Sequence, residues 1–349
     1  MILFSLGLPS PFGEWCEALT ARFMKYSFGL LETIYADTLE QFALSVIKTS
    51  SPHIMVGSRQ IVGPLWAALA QTNRGFIVAH DDPHIALRNL VVRHGMDFLL
   101  AARIVAKSCA SIVSCAALPG ALVLHAGQSE ADPIGTARAI AHHLGLALGE
   151  AEIADSVMSL EGAGVWPTSS NDTEWWDGLE PWERDLVAGA IDPYVARLAG
   201  GDLWPLTWEK EFFFLNEEQP EQHSQVASRP VNITGRPRFL VYGPDITLPP
   251  GSWCATVALG FSHEAAELSY IVDLHAGNQL AQVRLEPAGR RVVGADLNFS
   301  IAEPQMIAVR VRNERAAFDG RMALGNVTMT PHASMRAETR SYLTTALIG

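Results

Sequence analysis

Cysteine is scarce in this chain: four residues among 349, at Cys16, Cys109, Cys115 and Cys254. None stands in a CxxC or other paired spacing, so nothing marks a disulfide framework. The expectation is a reducing, cytoplasmic setting in which these side chains fill small gaps in a core. A long clean apolar run is missing too. The stretch from Phe98 to Leu124 is interrupted by Arg103, Lys107 and Pro119, and no membrane span is expected. The apolar start, Met1 to Leu8, lacks a basic flank and a small-residue cleavage site, and reads as a first strand rather than a signal peptide. There is no basic run. Net charge is −12, and residues 150–200 hold 11 acidic side chains against 2 basic ones. That distribution argues against nucleic acid as a partner and reads as a solvated helical surface. No Gly-x-Ser-x-Gly elbow, internal repeat or low-complexity tract is present, so serine-hydrolase chemistry and solenoid architectures find no support.

What is present suits folded domains. Hydrophobic residues make up 48% and charged residues 18% of the chain, a balance that argues against extended disorder. Up to residue 150, short apolar runs alternate with helix-patterned stretches. Ile2–Gly7, Ser45–Thr49, Gly75–His80 and Ala121–His125 are the candidate strands. Glu14–Leu31, Gly63–Gln71 and Ile134–Leu146 carry apolar residues at helical spacing. This alternation predicts an α/β doubly wound parallel sheet, with ligands bound beyond the carboxyl ends of its strands. Residues 150–200 read as helical, with Leu179–Leu198 the clearest unit, and 201–235 as a connecting linker.

From Arg236 the period changes to two. Ile307, Val309 and Val311 alternate with Ala308, Arg310 and Arg312, and similar runs fall at Trp253–Leu259, Leu268–Leu274 and Met322–Met329. Turn signals separate them: Pro249-Pro250-Gly251, Gly277-Asn278, Pro287-Ala288-Gly289 and Asp319-Gly320, the last of which predicts a tight hairpin. The expected organisation is an α/β domain over 1–200, the linker, a jelly-roll-like all-β sandwich over 236–331, and a tail over 332–349.

Several residues carry potential chemistry. The first strand runs into Gly7-Leu8-Pro9-Ser10-Pro11-Phe12-Gly13-Glu14-Trp15, a strand–turn–helix passage suited to an anion. His53, His80, Asp81, Asp82 and His84 form the densest group of metal-ligand types. An ordinary turn, with Asp82 capping a helix that begins at Pro83, accounts for most of them, and no metal site is expected. Seven tryptophans lie between Trp166 and Trp253, and packing is the expected role of each.

The passage after the first strand resembles the phosphosulfate loop of sulfotransferases, Gly-x-Pro-Lys/Arg-Ser-Gly-Thr-Thr-Trp, at Gly7, Pro9 and Trp15. Val46-Ile47-Lys48-Thr49 resembles the strand bearing the family's Lys-Thr-His, with Ser50 where the catalytic histidine stands. Ile77-Val78-Ala79-His80-Asp81-Asp82-Pro83 resembles the Val-Arg-Asp-Pro turn, with Asp81 in place of the arginine that holds the nucleotide's 3′-phosphate. The serine that assists that arginine aligns near Asn89. Asp132-Pro133, His143-Leu144-Gly145-Leu146 and Trp182–Tyr194 follow in the family's order. The resemblance implies a P-loop-like transferase fold over 1–200. It makes Ser10, Gly13, Lys48, Thr49, His80 and Arg88 the candidate ligand-binding residues, and assigns no catalytic residue. Its donor, 3′-phosphoadenosine-5′-phosphosulfate (PAPS), is expected only where activity is retained. Ser10 for the loop's Lys or Arg, and Asp81 for the arginine, argue against that. Lys48, Arg88 or Arg93 are the possible substitutes.

The back half resembles the jelly-roll modules joined to bacterial polysaccharide-handling enzymes, on Tyr242-Gly243-Pro244, Leu248-Pro249-Pro250-Gly251 and Trp253–Leu259. This implies a glycan partner, with Trp253 and Tyr270 as candidate sugar-binding rings. The alternatives are that these rings sit in the core, and that the sandwich serves assembly into an oligomer or scaffold instead.

Overall fold

The computed structural model describes residues 1–72, 74–162, 173–216, 227 and 229–332. Trp166, the whole stretch from Glu217 to Gln225 and nearly all of the tail therefore lie outside the described residues. The chain packs into two units, Met1–Leu179 and Glu180–Gly349.

The first unit is built on a parallel sheet ordered β2-β3-β1-β4-β5, from Glu32–Tyr35, Ile54–Ser58, Ile2–Gly7, Phe76–His80 and Ala121–His125. Strand β1 is flanked by β3 and β4, with Ile2 opposite Ile54 and Leu6 opposite Val78. Both faces are covered. Leu3, Met55, Ile77 and Ala79 point into a core shared with Phe12, Trp15, Leu19 and Phe23 of helix α1 (Pro11–Phe28). Ile140 of α7 (Pro133–His143) and Ile153 of α8 (Glu150–Gly162) belong to the same core. The alternate residues Ile2 and Phe4 turn to the other face, where Phe42 and Val46 of α2 (Leu39–Lys48) pack against Ile34, Ile54 and Val56. Burial on both faces is why β1 and β4 read as continuous apolar runs, whereas β3 was not among the expected strands.

One expected strand, Ser45–Thr49, is instead the end of α2. Phe42 and Val46, four residues apart, reach the same apolar patch, and this helical spacing prevails over a short run of β-formers. Helices α3 (Pro64–Gln71) and α4 (Pro83–Arg88) follow β3 and β4, and Asn89–Arg93 forms a π-helical turn. Helix α5 (Phe98–Ala116) is long and apolar enough to cross a membrane, but most of it is buried and it packs on β1, β4 and β5. It is the core helix of this unit. The short helices α6 (Ala126–Ala131) and α9 (Thr173–Asp177) complete it.

The second unit opens with α10 (Pro181–Ala190) and α11 (Asp192–Leu198). The single helix expected here breaks at Ile191, because Pro193 has no N–H with which to continue the ladder. Two antiparallel sheets follow. One is ordered β13-β12-β15-β9-β7, from Asn278–Leu285, Tyr270–Ala276, Gln305–Asn313, Phe239–Tyr242 and Phe214–Leu215, with β10 (Pro244–Leu248) also paired to β15. The other is ordered β14-β11-β16-β6, from Val292–Ile301, Gly251–Phe261, Arg321–Pro331 and Leu206–Trp208, with β8 (Val231–Asn232) on β16. Along β11, β14 and β16 buried residues largely alternate with more exposed ones. The rings of Phe261 and Tyr270, one from each sheet, meet with centroids 4.7 Å apart. This is a sandwich with a shared core. Gly277, at φ 74°, makes the tight link between β12 and β13. Asp319-Gly320 does not close a hairpin: it lies in the loop from β15 to β16, strands that belong to different sheets.

Candidate functional site

In a parallel sheet of this kind the ligand edge is the one where the strands end. Three candidates meet there: Ser10 after β1, His80 at the end of β4, and Gly13 in the first turn of α1. Lys48 and Thr49 do not join them. Lys48 is exposed in the last turn of α2, and the Thr49 hydroxyl donates to Glu32, the first residue of β2. Both residues therefore sit at the opposite, amino edge of the sheet. The strand that was to carry them is a helix end, and the fold does not bring them to Ser10 and His80. Strand β3 brings Ser58 and Arg59 to the ligand edge instead. There Asp37 accepts the Ser58 hydroxyl at 2.7 Å and the Arg59 and Gln60 amides at 3.1 and 3.0 Å.

The turn after β1 is wound tightly. The Ser10 amide donates to the Leu8 carbonyl at 2.7 Å, and the Leu8 amide to that of Ala79 at 3.2 Å. A Cβ on Gly13 would lie 2.1 Å from the Leu8 carbonyl oxygen, so only glycine lets the helix start this close to the strand. Ser10 is 0% exposed, and its hydroxyl accepts the Gly13 amide at 3.2 Å, capping its own helix. Asn89 closes the turn from the side, donating to the Pro9 carbonyl at 3.0 Å and to Glu14 at 3.3 Å. Arg93 is engaged in turn by Glu14 at 3.2 Å, and His94 stands 3.5 Å from the same carboxylate.

Beneath this turn lies Asp81, 5% exposed. Its Oδ1 accepts the Asp82 amide at 2.8 Å, while its buried Oδ2 has no hydrogen-bond partner. Burial pushes its carboxyl up to about 6; the Asp82 amide and, less, the Ser10 hydroxyl draw it partly back, while the Asp82 and Glu130 carboxylates add to the rise. The neighbouring His80 is buried, with its ring edge-on to His125 at 4.9 Å. Burial, then His125, lowers it to about 4, and it is neutral. Asp82 caps α4 by accepting the His84 amide at 2.9 Å, as its place before Pro83 predicts. Arg88 stands half-buried in the last turn of that helix. Among the described residues no three His, Cys, Asp or Glu side chains converge on a point that could hold a metal ion.

This donor set does not fit PAPS. A phosphosulfate needs cations and free amides facing its oxygens. The turn instead holds a serine committed to its own helix, the Glu14 carboxylate in the first helical turn, and a buried carboxylate at Asp81.

In the sandwich the two candidate rings are closed to any sugar. Trp253 and Tyr270 are both 0% exposed. Their polar atoms are satisfied internally, the indole N–H by the Pro249 carbonyl at 3.2 Å and the phenol by that of Ala265 at 2.8 Å. The alternation that puts Trp253 beside Val257 and Leu259 is the reason: that face of β11 is the core. Sequence reasoning missed Glu14, Asn89 and Arg93 as one network. Glu14 stands where acidic residues favour a helix start, but nothing in the sequence joins it to residues some eighty positions on.

No family model and no curated protein matches the chain. Among solved structures it is similar to a mouse sulfotransferase complexed with PAP, at 10% identity and a TM-score of 0.40, over 56% of this chain and 83% of that one. It is also similar to the C-terminal CBM6 of LamC, a marine laminarinase from Zobellia galactanivorans, at 16% identity and a TM-score of 0.22, over 36% and 98%. A third likeness is to the sugar-binding C-terminal domain of EclA, at 17% identity and a TM-score of 0.20, over 33% and 89%.

Proposed function

We propose that this chain recognises carbohydrate through its sandwich, and that its α/β unit keeps a sulfotransferase-like fold without using the phosphosulfate donor. The observation that carries the reading is the buried Asp81 carboxylate beside Ser10, at the position where the motif resemblance puts the arginine that holds the donor's 3′-phosphate. Sulfuryl transfer, like phosphoryl transfer, relies on positioned cations. A loop without Lys or Arg forgoes a charge-assisted contact of roughly 1.5–3 kcal/mol. Losing such a donor from the transition state costs on the order of 10²–10³ in rate. Arg93, one of the candidate substitutes, is already engaged by Glu14.

The carbohydrate half is supported by the resemblance of residues 236–331 to polysaccharide-associated jelly rolls and by the polar surface of the sandwich. A shallow depression of about 500 Å³, lined by Ser252, Asn298, Phe299, Ser300 and His332, also marks the sandwich surface, but no exposed Phe, Tyr or Trp ring borders it and the reading does not rest on it. The setting that suits this pairing of units is bacterial surface-polysaccharide metabolism.

Calorimetric titration of the full chain with PAP and PAPS at physiological salt tests the first half, and no binding heat is expected. A micromolar dissociation constant, about 8 kcal/mol of binding, would overturn it. For the second half, a glycan array probed with the full chain should retain it. Failure to bind any glycan, together with a defined oligomer in solution, would replace recognition by a structural role.

A further inference from the structure

We propose that the sandwich binds a neutral glycan on the outer face of the β13-β12-β15-β9-β7 sheet, at a row formed by Gln282, Asp273, Arg310 and Phe239; this rests on the carbohydrate reading above. The register builds the row. On β12, Asp273 stands directly opposite Gln282 of β13 and Arg310 of β15, and directly opposed residues in an antiparallel ladder share a face. The flanking Val272 and Leu274 point to the core, as do Val309 and Val311. Asp273, Gln282 and Arg310 therefore face away from it.

Arg310 donates through Nε to Asp273 Oδ1 at 2.7 Å, and the carboxylate beneath it is almost fully covered. Its guanidinium carbon lies 4.9 Å from the centroid of the Phe239 ring. That ring is 37% exposed, on a sheet face where an apolar residue gains nothing from the core. The Asp273 contact and the ring fix the guanidinium plane, and no other hydrogen bond is made by its Nη groups among the described residues. Next along the sheet, Phe214 and Tyr242 are cross-strand partners whose rings stack at 5.5 Å and 30°.

This combination has a definite chemistry. The Nη fork of Arg310 presents two parallel donors, Gln282 an exposed donor and acceptor, and Phe239 an apolar ring. A hexose offers the complement: hydroxyls on adjacent carbons, and a face of C–H groups that stacks on an aromatic ring. The charge in the row is balanced, one carboxylate against one guanidinium, and Arg312, which the register sets opposite Phe239, stands near the Glu314 carboxylate. The face therefore neither requires nor specially rewards an acidic sugar. The depression at Ser252 and His332 has hydroxyls and an imidazole but no exposed ring, since its Phe299 is buried. It lacks the stacking element.

The test is calorimetry on the full chain with laminarihexaose, cellohexaose and mannohexaose as neutral probes. Oligogalacturonate and a sulfated galactan oligomer serve as acidic ones, each at low and high salt. At least one neutral probe should bind, with an affinity that salt leaves unchanged. Phe239→Ala and Gln282→Ala, both at exposed positions, should weaken it by about tenfold or more through lost stacking and hydrogen bonding. Ser300→Ala and His332→Ala should leave it unchanged. Neutral binding that survives both row substitutions would overturn this site while leaving the carbohydrate reading in place. Binding confined to the acidic probes and suppressed by salt would overturn the ligand class. No binding to any probe would remove the reading and the site together.

Discussion

The turn after β1 and the outer face of the β13-β12-β15-β9-β7 sheet both gather charged and hydrogen-bonding side chains, but they satisfy them differently. At the turn the groups bond to one another: Ser10 caps its own helix, Asn89 holds the Pro9 carbonyl, and Glu14 holds Arg93. On the sheet face the Asp273–Arg310 pair is fixed at one end and presents its remaining donors and a ring outward. Sequence motifs drew attention to the first region, and the proposed glycan site lies in the second. A polar residue in a motif position is a binding residue only if its hydrogen bonds are left for a ligand.

The largest expected effect separates buried rings from exposed ones within the sandwich. Trp253→Ala empties a fully buried site and removes an indole bonded to Pro249, which should cost about 3–5 kcal/mol. Phe239→Ala, at a partly exposed ring, should cost under about 1 kcal/mol. Urea unfolding followed by tryptophan fluorescence and circular dichroism measures both. Equal losses would mean that the two rings do not differ as described, and the outward row would lose its basis.

Much of the α/β unit was legible because strands buried on both faces read as apolar runs bounded by Gly and Pro, as in β1 and β4. Strand β2 was not: Glu32-Thr33-Ile34-Tyr35 is a four-residue edge strand whose one buried side chain is Ile34. In the sandwich, alternation exposed the strands, and it already held the alternative that Trp253 is core. Which residues face each other across strands was beyond it. Asp273 meets Arg310 only because β12 pairs with β15, a strand order that no local pattern encodes.

A second comparison lies inside α1. Gly13→Ala drives a Cβ against the Leu8 carbonyl, a backbone atom that cannot swing aside, and should cost about 1–3 kcal/mol or displace the helix start. Gly29→Ala, at the other end of the same helix, meets open space but has φ 79°, and should cost about 1 kcal/mol. Thermal unfolding of the two variants should rank them in that order. The reverse ranking would show that the turn after β1 is looser than its hydrogen bonds indicate.

Asp81 and His80, adjacent in sequence, are expected to titrate in opposition. The Asp81 carboxyl lies at about 6 against an ordinary 3.8, so the folded state holds the extra proton between those values and loses stability as pH rises through them. His80 lies at about 4 against an ordinary 6.5, so the unfolded state holds the extra proton and stability rises with pH across that window. In the native protein the two slopes oppose each other. Relative to the native chain, Asp81→Asn should be neutral near pH 4 and more stable above pH 6, by an amount on the order of 2 kcal/mol. His80→Gln should gain below pH 4 and lose that gain above about 6.5. Urea midpoints from pH 4 to 8 for both variants check the signs, and parallel curves would show that neither group is as deeply buried as described.

The smallest effect is expected at Lys48, and it tests the sheet's two edges against each other. Lys48 is exposed in the last turn of α2, where a cation offsets the partial negative charge of the helix end. Lys48→Ala removes that interaction and no packing, so its cost should be a few tenths of a kcal/mol, falling as salt is added. The neighbouring Thr49→Val removes the hydroxyl that donates to Glu32 and should cost more, about 1 kcal/mol. Both positions lie at the amino edge, away from Ser10 and Asp81, so neither substitution should change the response of the protein to any anion that binds at the carboxyl edge. Thermal shift with sulfate, phosphate and PAP on the native chain and both variants measures this directly. An anion that stabilises the native chain but not Lys48→Ala would place Lys48 in a ligand site after all, and would return the front unit to the chemistry its motifs resemble.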